Sequence, residues 1–203
     1  MFEKLKLPLL LAVVLTLLVL GLNREAPSKI HLNKDAVILA FGDSLTYGNG
    51  AVEHAYPLEL EMLLGRKVIN AGVSGEVSTV GLQRLPQLLE RYHPQVVILC
   101  HGGNDILRKS SKATLKDNLE NMVLLAQESG AEVLVVGVPS FGLLGARTLP
   151  LYKEVALEKK TLYEGEILEI IEQNPALKSD QIHPNADGYK MMAVAFQNVL
   201  LGD

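Results

Sequence analysis

Five short apolar runs recur along this chain, and each leads into a turn region containing glycine and then into a segment of helical character. The runs are Ala36–Phe41, Val68–Ala71, Val96–Cys100, Val133–Val138 and the shorter Thr161–Tyr163. Unbroken apolar runs bounded by turn residues read as buried strands. Strands alternating with helices at a spacing of roughly 30 residues predict a parallel, doubly wound sheet. The intervening helices are expected over Tyr56–Leu64, Val80–Tyr92, Lys112–Ser129, Tyr152–Lys160 and Ile167–Gln173, with a last one capped by Asn185. Pro86 falls inside the second of these and predicts a bend or a late start. Pro139 to Pro150 reads as a long loop with the apolar centre Phe141-Gly142-Leu143-Leu144-Gly145.

The N-terminus follows a different pattern. Lys4 and Lys6 precede an apolar stretch from Leu7 to Leu22, the arrangement of an export signal or an N-terminal anchor. Residues 1–23 are therefore set apart as a signal or anchor segment, 24–35 as a polar linker, and 36–203 as one globular domain. A membrane contact, if the segment is retained, and a place in the cell envelope follow from it. The chain carries 19 lysines and arginines against 23 acidic residues, a formal net charge of −4, with no basic stripe beyond the N-terminus. That balance excludes a surface built to track nucleic-acid phosphates. The single cysteine, Cys100, ends an apolar run and reads as a small buried hydrophobe. Export remains compatible with a fold that needs no disulfide. A monomer is expected.

In an open α/β sheet, ligands bind at the carboxyl ends of the strands. Four polar turns gather there. Ser44 follows the first strand, Gly75 the second and Asn104 the third, while Asp180 and His183 precede the last helix. Ser44 alone is ambiguous, because serine serves equally well as a turn or N-cap residue. Together the set has what acyl transfer requires. A serine hydroxyl becomes a nucleophile when a histidine takes its proton. A carboxylate on the other ring nitrogen fixes that histidine, and donors must meet the oxyanion. The donors here would be the Ser44 and Gly75 N–H groups and the Asn104 amide. His101, Asp43 and Asp105 adjoin these residues and read as packing or loop-bonding groups. No H-E-x-x-H, C-x-x-C pair or G-x-x-x-x-G-K-[ST] is present.

The strings GDSL (42–45), GVSGE (72–76), GGND (102–105) and DQIHPN (180–185) resemble the four blocks of the SGNH hydrolase superfamily, the GDSL lipases and esterases. The resemblance covers about Ala36 to Leu200 and is greatest to the bacterial acyl thioesterases, lysophospholipases and arylesterases. It implies a three-layer α/β/α, flavodoxin-like fold with a mostly parallel five-stranded sheet. It implies Ser44, Asp180 and His183 as the catalytic residues and Ser44, Gly75 and Asn104 as the oxyanion hole. The expected substrate is a small acyl ester or thioester, with no cofactor and no metal. A carbohydrate O-acetyl esterase is the alternative, and a membrane-tethered protein that binds without turnover a more distant one. The apolar loop residues Phe141, Leu143 and Leu144 are expected to bind the acyl chain, as a lid or pocket wall.

Overall fold

The computed structural model describes residues 27–142 and 145–202. Five parallel strands form the central sheet: β1 (Val37–Gly42), β2 (Lys67–Gly72), β3 (Val96–Cys100), β4 (Glu132–Val136) and β7 (Leu162–Glu164), in the order β2-β1-β3-β4-β7. β1 and β3 lie in the interior of the sheet, and from Ile38 to Phe41 and from Val96 to Cys100 every side chain is buried. This is why those runs are continuously apolar rather than alternating.

Helices α2 (Tyr56–Leu64) and α8 (Ala186–Leu201) pack together on one face of the sheet, where the Tyr56 and Phe196 rings meet edge to face at 5.0 Å. Helices α3 (Ser78–Tyr92), α5 (Lys112–Glu128) and α6 (Pro150–Lys159) pack in sequence on the other face. Two very short helices, α1 (Ser44–Tyr47) and α4 (Gly103–Leu107), start directly behind β1 and β3. α7 (Ile167–Gln173) lies beside α8. The architecture is the expected three-layer α/β/α sandwich.

The structure differs from the sequence reading in three places. Pro139–Pro150 is not an open loop. β5 (Pro139–Gly142) and β6 (Gly145–Thr148) pair antiparallel, and Glu169 of α7 holds β6 by accepting from the Thr148 N–H and the Arg147 guanidinium. Gly145 takes a left-handed φ of 95° where β6 begins, and four residue pairs from Pro139–Thr148 to Gly142–Gly145 hold the two strands together. α3 runs without interruption through Pro86, which lies on the exposed face of the helix. The third difference concerns the linker: Ile30 is buried and its N–H donates to the Leu200 carbonyl, so packing begins ahead of residue 36. Among the described residues no helix is long and apolar enough to cross a membrane. The stretch Leu7–Leu22 lies outside the described residues.

The carboxyl ends of β1 and β2 tolerate only glycine. A Cβ on Gly42 would stand 2.0 Å from the Cys100 carbonyl oxygen, and one on Gly72 would stand 2.1 Å from the Tyr47 nitrogen. Both obstacles include backbone, which cannot rotate aside. Gly72→Ala should therefore lower unfolding stability by about 1–3 kcal/mol, the usual cost of overpacking. Urea titration should show a lower midpoint with an unchanged slope.

Candidate active site

The turn after β1 places Ser44. Asp43, the N-cap of α1, accepts the Leu45 N–H on Oδ1 at 3.2 Å, and this bond turns the chain from strand to helix with Ser44 as the first helical residue. The Asp43 side chain is buried, and its Oδ2 accepts the Gly103 N–H at 3.1 Å across the sheet edge. Burial raises the Asp43 carboxyl above its ordinary value, against the opposing influence of His101 and the surrounding backbone N–H groups.

The segment between α7 and α8 brings in the histidine. Asp180 Oδ1 accepts the N–H groups of Ile182 and His183, both at 2.8 Å, and so winds the loop around its own carboxylate. Asp180 Oδ2 meets His183 Nδ1 at 2.7 Å, and His183 Nε2 meets Ser44 Oγ at 3.0 Å. With Nδ1–H donating to Asp180, Nε2 is left as an acceptor for the Ser44 hydroxyl. Burial pushes the Asp180 carboxyl up, but the His183 ring and the two backbone N–H groups outweigh it and lower it to about 2. The loop is fastened at its base, where Lys178 pairs with Glu172 and the Ser179 N–H donates to the His183 carbonyl.

Asn104, in the first turn of α4, donates Nδ2 to the Glu76 carbonyl at 3.1 Å and lies 3.4 Å from Asp43 Oδ2. Gly75 takes a left-handed φ of 79°, and its carbonyl accepts from Arg108 at 2.9 Å. Its N–H has no hydrogen-bond partner among the described residues. Ser44, Asn104 and His183 line one groove of about 480 Å³, counting the space open to solvent. Asp180 stands behind His183, and Gly75 occupies the neighbouring turn without lining the groove.

The apolar walls were not evident from the sequence. They come from Leu45, Ile106, Leu107, Val138, Leu168 and Ile182. Leu143 and Leu144 lie outside the described residues, and of Phe141 only the backbone, in β5, is described. Ile106 and Leu107 directly follow the GGND string and Ile182 precedes His183, so their neighbourhood to the motifs was a usable signal. Leu168 carried none beyond its helical spacing. Asp105 accepts from the Ser78 N–H and hydroxyl, the structural role expected of it.

Residues 40–191 match the GDSL-like lipase/acylhydrolase family. The chain belongs to this family. Esterase TesA of Pseudomonas aeruginosa is 37% identical over 123 residues, which cover 58% of this chain and 61% of TesA. That alignment reaches less than two thirds of the length of TesA. The arylesterase of Vibrio mimicus is 30% identical over 77% of this chain and 84% of its own length. Thioesterase 1/protease 1/lysophospholipase L1 of Escherichia coli is 29% identical over 77% and 79%. In structure, TesA superposes with a TM-score of 0.73 at 30% identity, covering 81% of this chain and 97% of the other. AlinE4, an SGNH-hydrolase family esterase, gives 0.65 at 32% identity, covering 84% and 97%. This family member is a carboxylic ester hydrolase with the SGNH fold.

The lowered Asp180 carboxyl has a measurable consequence. A carboxylate whose folded value lies below its unfolded value contributes stability above the unfolded value and loses it as pH falls through the folded one. The relevant window runs from the ordinary 3.8 down to about 2. The difference in urea midpoint between wild type and Asp180→Asn should be constant above pH 5 and shrink as pH is lowered to 3. A difference independent of pH would contradict the bonding described for Asp180.

Proposed function

We propose that this enzyme cleaves acyl esters and thioesters through an acyl-enzyme formed on Ser44. The observation that carries the reading is the unbroken line from Ser44 Oγ to His183 Nε2 and from His183 Nδ1 to Asp180. Ser44 Oγ adds to the substrate carbonyl carbon while His183 Nε2 takes the hydroxyl proton. The tetrahedral oxyanion is met by the Ser44 and Gly75 N–H groups and by the Asn104 amide. The Asn104 amide donates to the Glu76 carbonyl at 3.1 Å and, over a longer 3.4 Å, to Asp43 Oδ2, and the longer bond is the one the oxyanion would replace. Collapse breaks the bond to the leaving group, which departs with the proton held by His183. Water then repeats the sequence on the acyl-enzyme and frees the acid. Asp180 keeps the His183 ring in the tautomer this exchange needs.

The walls of the groove favour an acyl chain. Ile106, Leu107, Val138 and Leu168 present hydrocarbon beside Ser44, whereas sugar hydroxyls would require hydrogen-bonding partners there. Relatives named arylesterase and thioesterase/lysophospholipase support the same substrate range. The apolar N-terminal stretch after Lys4 and Lys6 supports work in the cell envelope, held by that segment or released from it. The substrate would then be a small ester or thioester met there, and the enzyme a monomer.

Three variants test the reading. Ser44→Ala should abolish hydrolysis of p-nitrophenyl esters while the melting temperature holds, and residual turnover at wild-type rate would overturn it. Asn104→Ala should lower kcat by about 10²–10³ with little change in KM. An effect confined to KM would make Asn104 a substrate-positioning residue. Leu107 is 48% exposed, so Leu107→Ser perturbs the groove with little effect on the core. It should reduce kcat/KM for octanoyl esters and spare acetyl esters, because each methylene that loses contact forfeits up to ~0.8 kcal/mol.

A further inference from the structure

Beneath the groove lies a buried ionic group that the acyl-transfer steps leave unused. Glu76 is 7% exposed and His101 is fully buried. The Glu76 carboxylate takes Arg84 Nε at 2.8 Å and His101 Nε2 at 3.1 Å. Arg84 also donates to the carbonyls of Gly42 and Ala71, the last residues of β1 and the penultimate of β2, and its guanidinium lies 4.2 Å above the Phe41 ring centroid. Burial alone would raise the Glu76 carboxyl, but the His101 and Arg84 hydrogen bonds outweigh it and leave it lowered. His101 Nδ1 has no hydrogen-bond partner among the described residues. The ring is thus held at one nitrogen only, and the fold tolerates a bare polar atom in the core to keep it there. Space for it exists because residue 81 is glycine: a Cβ there would stand 2.4 Å from His101 Nε2.

We propose that His101 is a positioning residue that fixes the two oxyanion turns against each other through Glu76. The inference rests on the reading of Gly75 and Asn104 as oxyanion donors. Glu76 touches the 101–104 segment twice. Its carboxylate holds the His101 ring, and its carbonyl holds the Asn104 amide. Gly75 is its chain neighbour. One residue therefore sets both the donor turn after β2 and the amide after β3, and Arg84 ties that residue to the strand ends below. Loss of the His101 link frees the Glu76 side chain on one side and lets the donors drift from the oxygen they meet. Misplacement on the order of 1 Å costs up to about 100-fold in rate.

The test compares His101→Leu, His101→Gln and Asn104→Ala on p-nitrophenyl acetate, with melting temperatures alongside. His101→Leu removes the link and fills the space. It should lower kcat about tenfold with KM unchanged, and His101→Gln, whose amide can reach Glu76, should recover most of that loss. In the Asn104→Ala background the His101→Leu effect should shrink to about threefold or less, since both act on the same oxyanion. A wild-type kcat in His101→Leu, a loss equal in both backgrounds, or a glutamine variant no better than leucine would overturn the proposal. Should Asn104→Ala itself retain full kcat, the oxyanion reading fails first and takes this one with it. Gly81→Ala guards against misfolding of the leucine variant. It pushes on the His101 ring without deleting a polar group, and the same fall in kcat at constant KM is expected. Unchanged kcat in that variant would also count against the proposal.

Discussion

The buried carboxylate of Asp43 is the interaction on which the site geometry depends. It accepts the Leu45 N–H, which turns the chain at Ser44, and the Gly103 N–H, which belongs to the segment carrying Asn104. A nucleophile candidate and an oxyanion donor candidate from two strands are thereby fixed by one side chain. Burying a charge is costly unless hydrogen bonds replace the lost water. Three backbone N–H groups oppose the effect of burial here, and the carboxyl is still raised. Removing this carboxylate would leave those N–H groups without their acceptor inside the fold, which makes Asp43 part of the structure as much as part of the site.

The rest of the site follows from the topology. β1 and β3 are hydrogen-bonded neighbours in the sheet, and β2 flanks β1, so the turns after all three open on one edge. The strand ends approach so closely that Gly42 and Gly72 leave no room for a side chain. The fourth contribution arrives from far along the chain. α8 packs on α2, and the loop ahead of α8 carries His183 over Ser44. Asp180 both shapes that loop and bonds the ring, so the fold of the loop and the orientation of the histidine have a single cause.

The turn residues were legible in the sequence because each sits within a few positions of a strand end or a helix cap, where local chemistry restricts the choice. Ser44, Gly75, Asn104, Asp180 and His183 all belong to that class. The strands were legible because β1 and β3 are buried on both faces and must be apolar throughout. Short helices such as α1 and α4 were not, since four or five residues show no helical period. The β5–β6 hairpin was hidden because its residues lack a clean alternation and its glycines suit an open loop equally well. The groove walls were hidden for a different reason. Leu45, Ile106, Val138 and Leu168 come from separate segments, and only the packing of α4, the hairpin and α7 brings them beside Ser44. The same holds for His101 and Arg84, whose meeting at Glu76 depends on α3 packing against β1, with Arg84 over the Phe41 ring.

The central claim is that Ser44 carries the acyl group between two half-reactions. Rapid acid quenching during turnover of a p-nitrophenyl ester, followed by peptide mass mapping, reads this directly. The account predicts a peptide containing Ser44 heavier by one acyl group, present within the first turnover and absent in Ser44→Ala. An acyl adduct on another residue, or product formed at full rate with no adduct at any quench time, would contradict it.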